Sequence, residues 1–482
     1  MSEKESDLTY FFDGPVSFSS MAAQAFLHFG FLHSKRENAA WILSVTGQEG
    51  DYRAEISRNG VLLTKAVCGN RRETAHFLMD TLSGALDIPL GKWGYLLGMR
   101  PTKALYPFLK KGTGWQEEAA RFLQEEKVEE KTARLLLRTA ACQLPFMDTR
   151  GTASFYMHVP FCPSHCIYCS FPSAILHPGK ALDSFTGRLC QDVAAAGKLI
   201  REKRLTVQSM YMGGGTPTIL TAEQMDRVLS EVERSVPLGH ALERTVEAGR
   251  PDTINEEMLR VLASHGIDRI SVNPQTMQDR ILKVLSRFHS ARSVYDVFGK
   301  IRRYPFKTVN MDFICGLPGQ TIGDMEENLQ VICQLLPENV TIHTLAVKRG
   351  SPFFQREKEF HLPSEETVEE MLSMAGETLE KLGYHPYYLY RQKYMTDDFA
   401  NIGYALPGHD SAYNIQMIGE HQHVVSAGPG SVSKVVVPPG FHLRKLYMPR
   451  DEKTYASHLS ALDEERNKLF SGLHAEETIV SR

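Results

Sequence analysis

Three cysteines crowd one short stretch, Phe155–Phe171, read FYMHVPFCPSHCIYCSF. Cys162, Cys166 and Cys169 follow the spacing C-x3-C-x2-C, close enough for their thiolates to converge on one inorganic centre. Three ligands are one fewer than a closed tetrahedral zinc site or a four-cysteine iron–sulfur site uses. A four-iron cluster held this way keeps one iron open to a substrate or cofactor. A zinc ion completed by His165 or His158 is the competing reading, and unliganded thiols in a loop are another. Pro160 and Pro163 stop regular structure on either side of Cys162.

The rest of the composition sets bounds. A chain of 482 residues exceeds one ordinary core, so two or three domains are expected. It is 42% hydrophobic and 23% charged, as globular proteins are, and no apolar run reaches the length of a membrane span. The opening MSEKESDLTYFF lacks a basic region followed by an apolar one, so a secretory signal is not expected. The formal charge is −3, from 54 basic and 57 acidic residues, which gives no electrostatic case for nucleic acid. Eight cysteines, three of them packed together, fit a reducing cytoplasm and a metal site better than a disulfide framework.

The elements that must position these residues can be read in order. Residues 1–150 suggest an N-terminal α+β accessory domain: alternating strands at 41–45, 52–56 and 61–66, then helices at 71–87 and 116–143. The charged run QEEKVEEKTAR reads as a solvated helix face. From Gly151 to about 362 strand and helix alternate. Strands are expected at 154–159, 207–212, 244–248, 268–272, 308–314 and 340–346. Helices are expected at 181–203, 221–235, 255–265, 277–303 and 321–336, and a further one at 365–382. Thr221 with Gln224, and Thr253 with Glu256, carry capping-box signals, and Gly266 marks a left-handed helix stop. Six such units predict an α/β fold with a parallel sheet, either a partial (β/α)6 barrel or a doubly wound open sheet.

The distinctive residues fall at one end of these strands. The cysteine loop follows the first and Gly213-Gly214-Gly215-Thr216-Pro217 the second. Glu247 ends the third, Asn273-Pro274-Gln275 follows the fourth, and Asp312 lies late in the fifth. Parallel strands bring all five groups to one carboxyl edge, where α/β sites form. The triple glycine admits close backbone approach to a ligand, or simply makes a tight turn. No Lys-Ser/Thr follows it as in a phosphate loop.

The cysteine spacing, with aromatic Tyr168 before the last ligand, resembles the cluster loop of radical S-adenosylmethionine (SAM) enzymes. From 154 to about 351 the phrases YMHVPFC, YMGGGTPT, VEAGRPDT, RISVNPQT, VNMDFICGLPGQT and KRGSPF resemble the coproporphyrinogen-oxidase-type branch of that family. That branch includes the oxygen-independent oxidases and the heme chaperones. YRQKYM and NIGYA extend the likeness to HemZ-type dehydrogenases. The resemblance implies a radical SAM partial barrel holding a [4Fe-4S] cluster on Cys162, Cys166 and Cys169, with SAM on its free iron. It assigns SAM contacts to Gly214, Gly215, Thr216, Glu247, Gln275, Arg287 and Asp312, with Tyr156 and Tyr168 beside cluster and adenine.

The implied partners are a tetrapyrrole, coproporphyrinogen III or heme, and an unidentified electron donor. The implied reaction is oxidative decarboxylation of propionates to vinyls, with heme chaperoning or chemistry on heme itself as alternatives. One departure bears on this choice: the oxidases carry a further cysteine two positions past the third ligand, where this chain has Phe171. The region 363–482 is expected to be a C-terminal α+β extension covering the barrel mouth. Arg391, Lys393 and Lys348 are candidate propionate partners or solvated surface residues. His409, His421 and His423 are candidate heme ligands or ordinary polar residues.

Overall fold

Apolar residues at every second position become strands wherever a second sheet neighbour can use them. The computed structural model describes residues 7–170, 174–176, 182–348, 350–391, 399–437 and 442–473. The chain divides into two compact units, Met1–Leu137 and Arg138–Arg482.

In the first unit, Trp41–Gln48, Asp51–Arg58 and Val61–Cys68 form the expected antiparallel meander. Two elements there gave no sequence signal. Thr9–Asp13 adds to the meander in parallel with Trp41–Gln48, and helix Val16–His28 covers the sheet with Phe18, Met21 and Phe26 buried. The helix expected over 116–143 is two helices, Trp115–Glu125 and Glu130–Gln143. Lys127 takes a left-handed φ of 54°, and the Val128 amide bonds back to the Leu123 carbonyl, a helix stop concealed by the charged run. Arg72 and His76 draw Glu126 into the same turn, where it is buried.

The second unit is built on an eleven-stranded sheet. Its strands are β1 (Thr152–Val159), β2 (Thr206–Gly214), β3 (Glu243–Glu247), β4 (Arg269–Ser271), β5 (Thr308–Cys315) and β6 (Asn339–Thr344), then β7 (His385–Arg391), β8 (Ala400–Ala405), β9 (His423–Ala427), β10 (Val432–Val437) and β11 (His442–Tyr447). β1 to β6 are parallel and lie side by side in chain order. A doubly wound sheet would reverse its order partway, so that alternative fails and the partial barrel stands. Each right-handed crossover steps the same way, which puts the crossover helices on one face. Phe155, Met157, Met210, Met212, Val246 and Val309 face those helices in one large core.

Their alternates line the concave face, and nearly all are polar. Ser154 pairs with Ser209, Tyr156 with Tyr211, His158 with Gly213, and Ser271 with Asn310 in register. β8 and β7 extend the sheet antiparallel beyond β6, and β9 extends it parallel beyond β1.

Element boundaries correct three expectations. The capping box at Thr221 and Gln224 is present, and Gly266 has its positive φ of 63°. Asn255, not Thr253, caps helix Glu256–Ser264, accepting from the Met258 amide at 2.8 Å. Thr253 instead hydrogen-bonds Thr218 at 2.6 Å. The single helix expected over 277–303 is Asp279–Val284 and Ala291–Ile301, separated where Ser286 turns left-handed at φ 59° and Ser290 caps the second piece. β6 also ends at Thr344, two residues short of the expected 346.

The C-terminal region is fastened by one buried ion pair. Arg466, on helix Glu452–Phe470, meets Asp192, on helix Asp183–Glu202, at 2.7 Å with both side chains fully buried. Asp192 also accepts from the Tyr455 hydroxyl at 2.6 Å and from the Gly428 amide at 2.8 Å. Replacing Arg466 by Met leaves that buried carboxylate without its cation, with the Tyr455 hydroxyl and the Gly428 amide still donating to it. The expected loss is about 3–5 kcal/mol, read as a lower urea midpoint at an unchanged slope.

Candidate active site at the carboxyl edge

The cysteine loop is anchored before any ligand is considered. Ile167, between Cys166 and Tyr168, packs with Ile281, Leu285, Ile314 and Phe353, and its carbonyl accepts from the Phe353 amide at 2.8 Å. Cys162 lies in the short strand Phe161–Cys162, paired with Ala174–Ile175. The Cys169 amide bonds to the Cys166 carbonyl at 3.0 Å. All three cysteines are free thiols. Among the described residues, no three Cys, His, Asp or Glu side chains already stand at metal-binding separation.

The glycine motif is stitched to this loop by backbone bonds. Gly215 donates to Val159 at 2.8 Å and Thr216 to Phe161 at 2.7 Å, while the Thr216 hydroxyl meets Cys162 Sγ at 3.5 Å. Gly214 has φ 110°, and a Cβ there would lie 2.3 Å from the His158 ring. A Cβ on Gly215 would meet the Phe161 carbonyl at 2.4 Å. Side chains are excluded here by the cysteine loop itself.

Two guanidinium groups converge on Cys166. Arg287 Nη1 is 4.0 Å from its sulfur and 3.0 Å from the Tyr168 hydroxyl. Arg287 Nη2 bonds the carbonyls of Gly249 and Asn273 at 2.8 and 2.7 Å. Arg250 Nη1 is 3.8 Å from the same sulfur and 2.9 Å from Ser164 Oγ, and its Nε pairs with Asp252 at 3.1 Å. Both arginines are buried, at 6% and 3% exposure. Burial raises the Tyr168 hydroxyl pKa, against the pull of Arg287.

Below the rim, Tyr156, Tyr211 and Tyr413 stack, with ring centroids 4.1 Å apart for Tyr211 and Tyr413 and 5.9 Å for Tyr156 and Tyr413. Tyr156 thus lines the barrel interior, while Tyr168 stands with Arg287. The Tyr211 hydroxyl donates to Glu247, whose other oxygen would meet a Cβ on Gly213 at 2.9 Å. Burial pushes the Glu247 carboxyl up to about 7, and the charge of Asp312 adds to it, against hydrogen bonds from Tyr211 and the Gly214 amide. For Asp312 burial also opposes charge, yet His343 and Asn310 outweigh it and hold the carboxyl below its usual range. Asn310 donates to it at 2.7 Å. Gln275, at φ 70°, bridges to β5 through its backbone, 2.9 Å from both Asp312 O and Ile314 N.

Other candidates fall elsewhere. Lys348 lies near Cys169; burial lowers its ammonium pKa and the thiol charge raises it. Arg391 ends β7 opposite Ala400, on the carboxyl edge. Lys393 and Phe171 lie outside the described residues. The candidate heme ligands His409, His421 and His423 are not at the mouth. His409 bonds Thr308, the first residue of β5, at 2.8 Å. His421 bonds the Phe146 carbonyl at 3.2 Å, and His423 pairs with Ala153 at the amino end of β1, its pKa pulled down to about 4 by burial. Helix Ala412–Gly419 likewise starts at the amino edge, where Ser411 and the Tyr413 amide hold Glu243. Most of the described C-terminal region therefore floors and flanks the barrel; its Gly428–Gly430 turn reaches the rim, where Pro429 O holds His158 Nδ1 at 2.5 Å. Burial lowers the His158 pKa, against that bond, which raises it.

Arg250, Ser164, Tyr211 and Tyr413 escaped the sequence reading. Arg250 stood inside a quoted motif, three residues past Glu247. Tyr211 shares the period-two face of Gly213, which was its available signal.

Comparisons with known proteins agree with this geometry. The radical SAM superfamily matches residues 156–332. The "Oxygen-independent coproporphyrinogen-III oxidase-like protein HemZ" of Bacillus subtilis is 35% identical over 383 residues, 78% of this chain and 76% of that protein. The "Heme chaperone HemW" of Lactococcus lactis is 31% identical over 264 residues, 54% of this chain and 64% of that protein. Among solved structures, Escherichia coli HemN aligns with TM-score 0.49 and 19% identity, over 67% of this chain and 73% of that one. The fold and the carboxyl-edge thiols thus define a radical SAM protein, a class that uses a [4Fe-4S] cluster and SAM. Within that class the chain belongs to the HemN/HemW-like group that includes HemZ.

The residues present fit those cofactors. Two buried cations face the Cys166 sulfur, and the Nε of Arg287 has no partner. The buried hydroxyls of Thr245 and Ser271 and the Asn273 carbonyl also lack partners, beside Glu247 on the concave face. A polar ligand would satisfy them.

Glu247 gives a measurable sign. Its pKa is about 7 in the folded chain against 4.5 for an unperturbed glutamate, so folding takes up a proton between these pH values. Stability contributed by the neutral form is full below about 4.5 and is lost as pH rises through 7. Without SAM, Glu247→Gln should match the parent near pH 4.5 and exceed it by roughly 3 kcal/mol above pH 8, measured by urea unfolding at both pH values.

Proposed function

We propose that the chain decarboxylates the propionates of coproporphyrinogen III oxidatively, giving the vinyls of protoporphyrinogen IX without oxygen. One observation carries the reading: cationic Lys348 and Arg391 share the carboxyl edge with the three thiols and the unsatisfied polar rim. A substrate bearing several carboxylates fits such an edge. The similarity to HemZ over most of the chain supports it.

Cys162, Cys166 and Cys169 would hold the cluster, which supplies one-electron cleavage of SAM to a hydrogen-abstracting radical. The chain's part is placement. Gly214 and Gly215 let the ligand reach the backbone, Thr216 steadies Cys162, and Arg287 and Arg250 offset negative charge at Cys166. Glu247, its carboxyl pushed up to about 7 by burial, would give up its proton to a cationic ligand. Asp312, already charged, holds the far side. The Tyr156–Tyr211–Tyr413 stack closes the floor against water. Hydrogen abstraction from a propionate, then loss of CO2 and transfer of one electron to a separate one-electron acceptor, would leave the vinyl group.

A heme-chaperone reading has its own support, in the similarity to HemW and in Phe171 where the oxidases have cysteine. Anaerobic incubation with SAM, dithionite and either coproporphyrinogen III or heme separates the readings. The proposal expects vinyl products from the porphyrinogen, seen by mass as loss of CO2. SAM cleavage with no vinyl product, together with stable heme transfer to an apo-protein, would establish the chaperone instead; an altered heme mass would mark chemistry on heme itself.

Arg391→Glu should weaken coproporphyrinogen binding at least tenfold, the worth of about one charge-assisted contact. SAM cleavage measured with dithionite should stay within twofold of the parent.

A further inference from the structure

A further thiol, well away from the cysteine loop, stands with an acid–base pair. Cys142 lies in the last turn of helix Glu130–Gln143 and packs against Tyr387, Tyr388, Ala405 and Ile415. The Gln143 side chain fixes that helix end by donating to the Tyr387 carbonyl at 3.2 Å. His385 opens β7 opposite Ala405, which in turn faces Asn339, the first residue of β6. The group therefore sits at the amino edge of the sheet, at the other end from the carboxyl-edge thiols.

Asp410 holds the His385 ring, with its carboxylate 2.7 Å from Nε2. The residues on either side of Asp410 are fixed in turn. The His409 carbonyl accepts from Asn339 at 2.8 Å and from Arg269 at 3.1 Å, and the Ser411 hydroxyl donates to Glu243 at 2.9 Å. The same imidazole is hydrogen-bonded to the Cys142 thiol. Asp410, and then Cys142, push its pKa up to about 10 against burial, so the ring is cationic at neutral pH.

A carboxylate, an imidazole and a sulfur in series are the parts of an activated nucleophile: the acid orients the ring and the ring supports the attacking atom. The end of a helix disfavours negative charge, so the imidazolium is what stabilises a thiolate at Cys142. Among the described residues no three such side chains stand at metal-binding separation, which leaves the chemistry of sulfur. All three residues keep part of their surface in solvent. The side chains of His385 and Asp410 are 24% and 21% exposed, and Cys142 is half-buried.

We propose that Cys142 is a modification site, a thiolate paired with His385 that exchanges with low-molecular-weight disulfides. Its sulfur attacks one sulfur of the disulfide and bonds to that half. The other half leaves as a thiolate and takes up a proton from solvent. Cys142 is oxidised, the departing half is reduced, and a second free thiol reverses the exchange. The inference is independent of the reaction proposed at the carboxyl edge.

The test compares two thiols of one folded, full-length chain. Cys333 is exposed and Cys142 is half-buried, so access alone favours Cys333. The chain is treated at pH 7 with iodoacetamide and, separately, with glutathione disulfide, and each cysteine is followed by peptide mass. An ordinary thiol is only a few per cent ionised there, so Cys142 should be alkylated about tenfold faster than Cys333, after allowing for the weaker nucleophilicity of a stabilised thiolate. It should also carry the glutathione adduct first. His385→Gln should slow Cys142 about tenfold and Asp410→Asn by less, with the Cys333 rate unchanged as the sign of an intact fold. Cys142 reacting no faster than Cys333 in the parent chain overturns the proposal without any variant. A Cys142 rate that survives both substitutions overturns it too, as does fast alkylation with no glutathione adduct.

Discussion

Two guanidinium groups buried against one sulfur are tolerable only if that sulfur carries negative charge. Arg250 and Arg287 leave water almost completely and bring Nη1 atoms within 3.8 and 4.0 Å of Cys166 Sγ. Asp252 pairs with the first and acts on the second from farther off, and the second also holds the Tyr168 hydroxyl and two backbone carbonyls. A neutral thiol repays little of the cost of desolvating two cations. A thiolate bound to an iron–sulfur cluster would repay it.

The barrel delivers this arrangement because its strands run in chain order. With the crossover helices on the convex face, the concave face is free to be polar, and it is satisfied unevenly. At the floor Glu243, Arg269, Asn339 and the loop before Tyr413 saturate one another. Higher up, Thr245, Ser271 and Asn273 keep unpaired atoms, and Glu247 and Asp312 sit in opposite electrostatic surroundings. A sheet that closes its own polar groups below and leaves them open above is shaped to bind at one end. Gly213, Gly214 and Gly215 follow from the same crowding, since each lacks room for a Cβ against Glu247, His158 or Phe161.

Much of this was legible in the sequence because the signals were local. Six alternating units, the capping box at Thr221 and the stop at Gly266 depend on neighbours in the chain, and they mark where the elements fall. The breaks at Lys127 and Ser286 were hidden, because a left-handed non-glycine residue carries no composition signal and the helical periodicity continues across it. Arg250 was hidden for another reason: its role depends on Cys166, far away in sequence. The histidines at 409, 421 and 423 could not be placed, because residue type says nothing of which sheet edge a loop reaches. Strand direction settles that, and it placed them at the amino edge.

The central claim is that three thiolates hold a cluster with one iron left for SAM. Electron paramagnetic resonance of the anaerobically reconstituted, dithionite-reduced chain, with and without SAM, tests it most directly. The account predicts about four iron atoms per chain and a reduced-cluster signal whose g-values move when SAM is added. Bound zinc in place of iron, or a cluster signal indifferent to SAM, would contradict it.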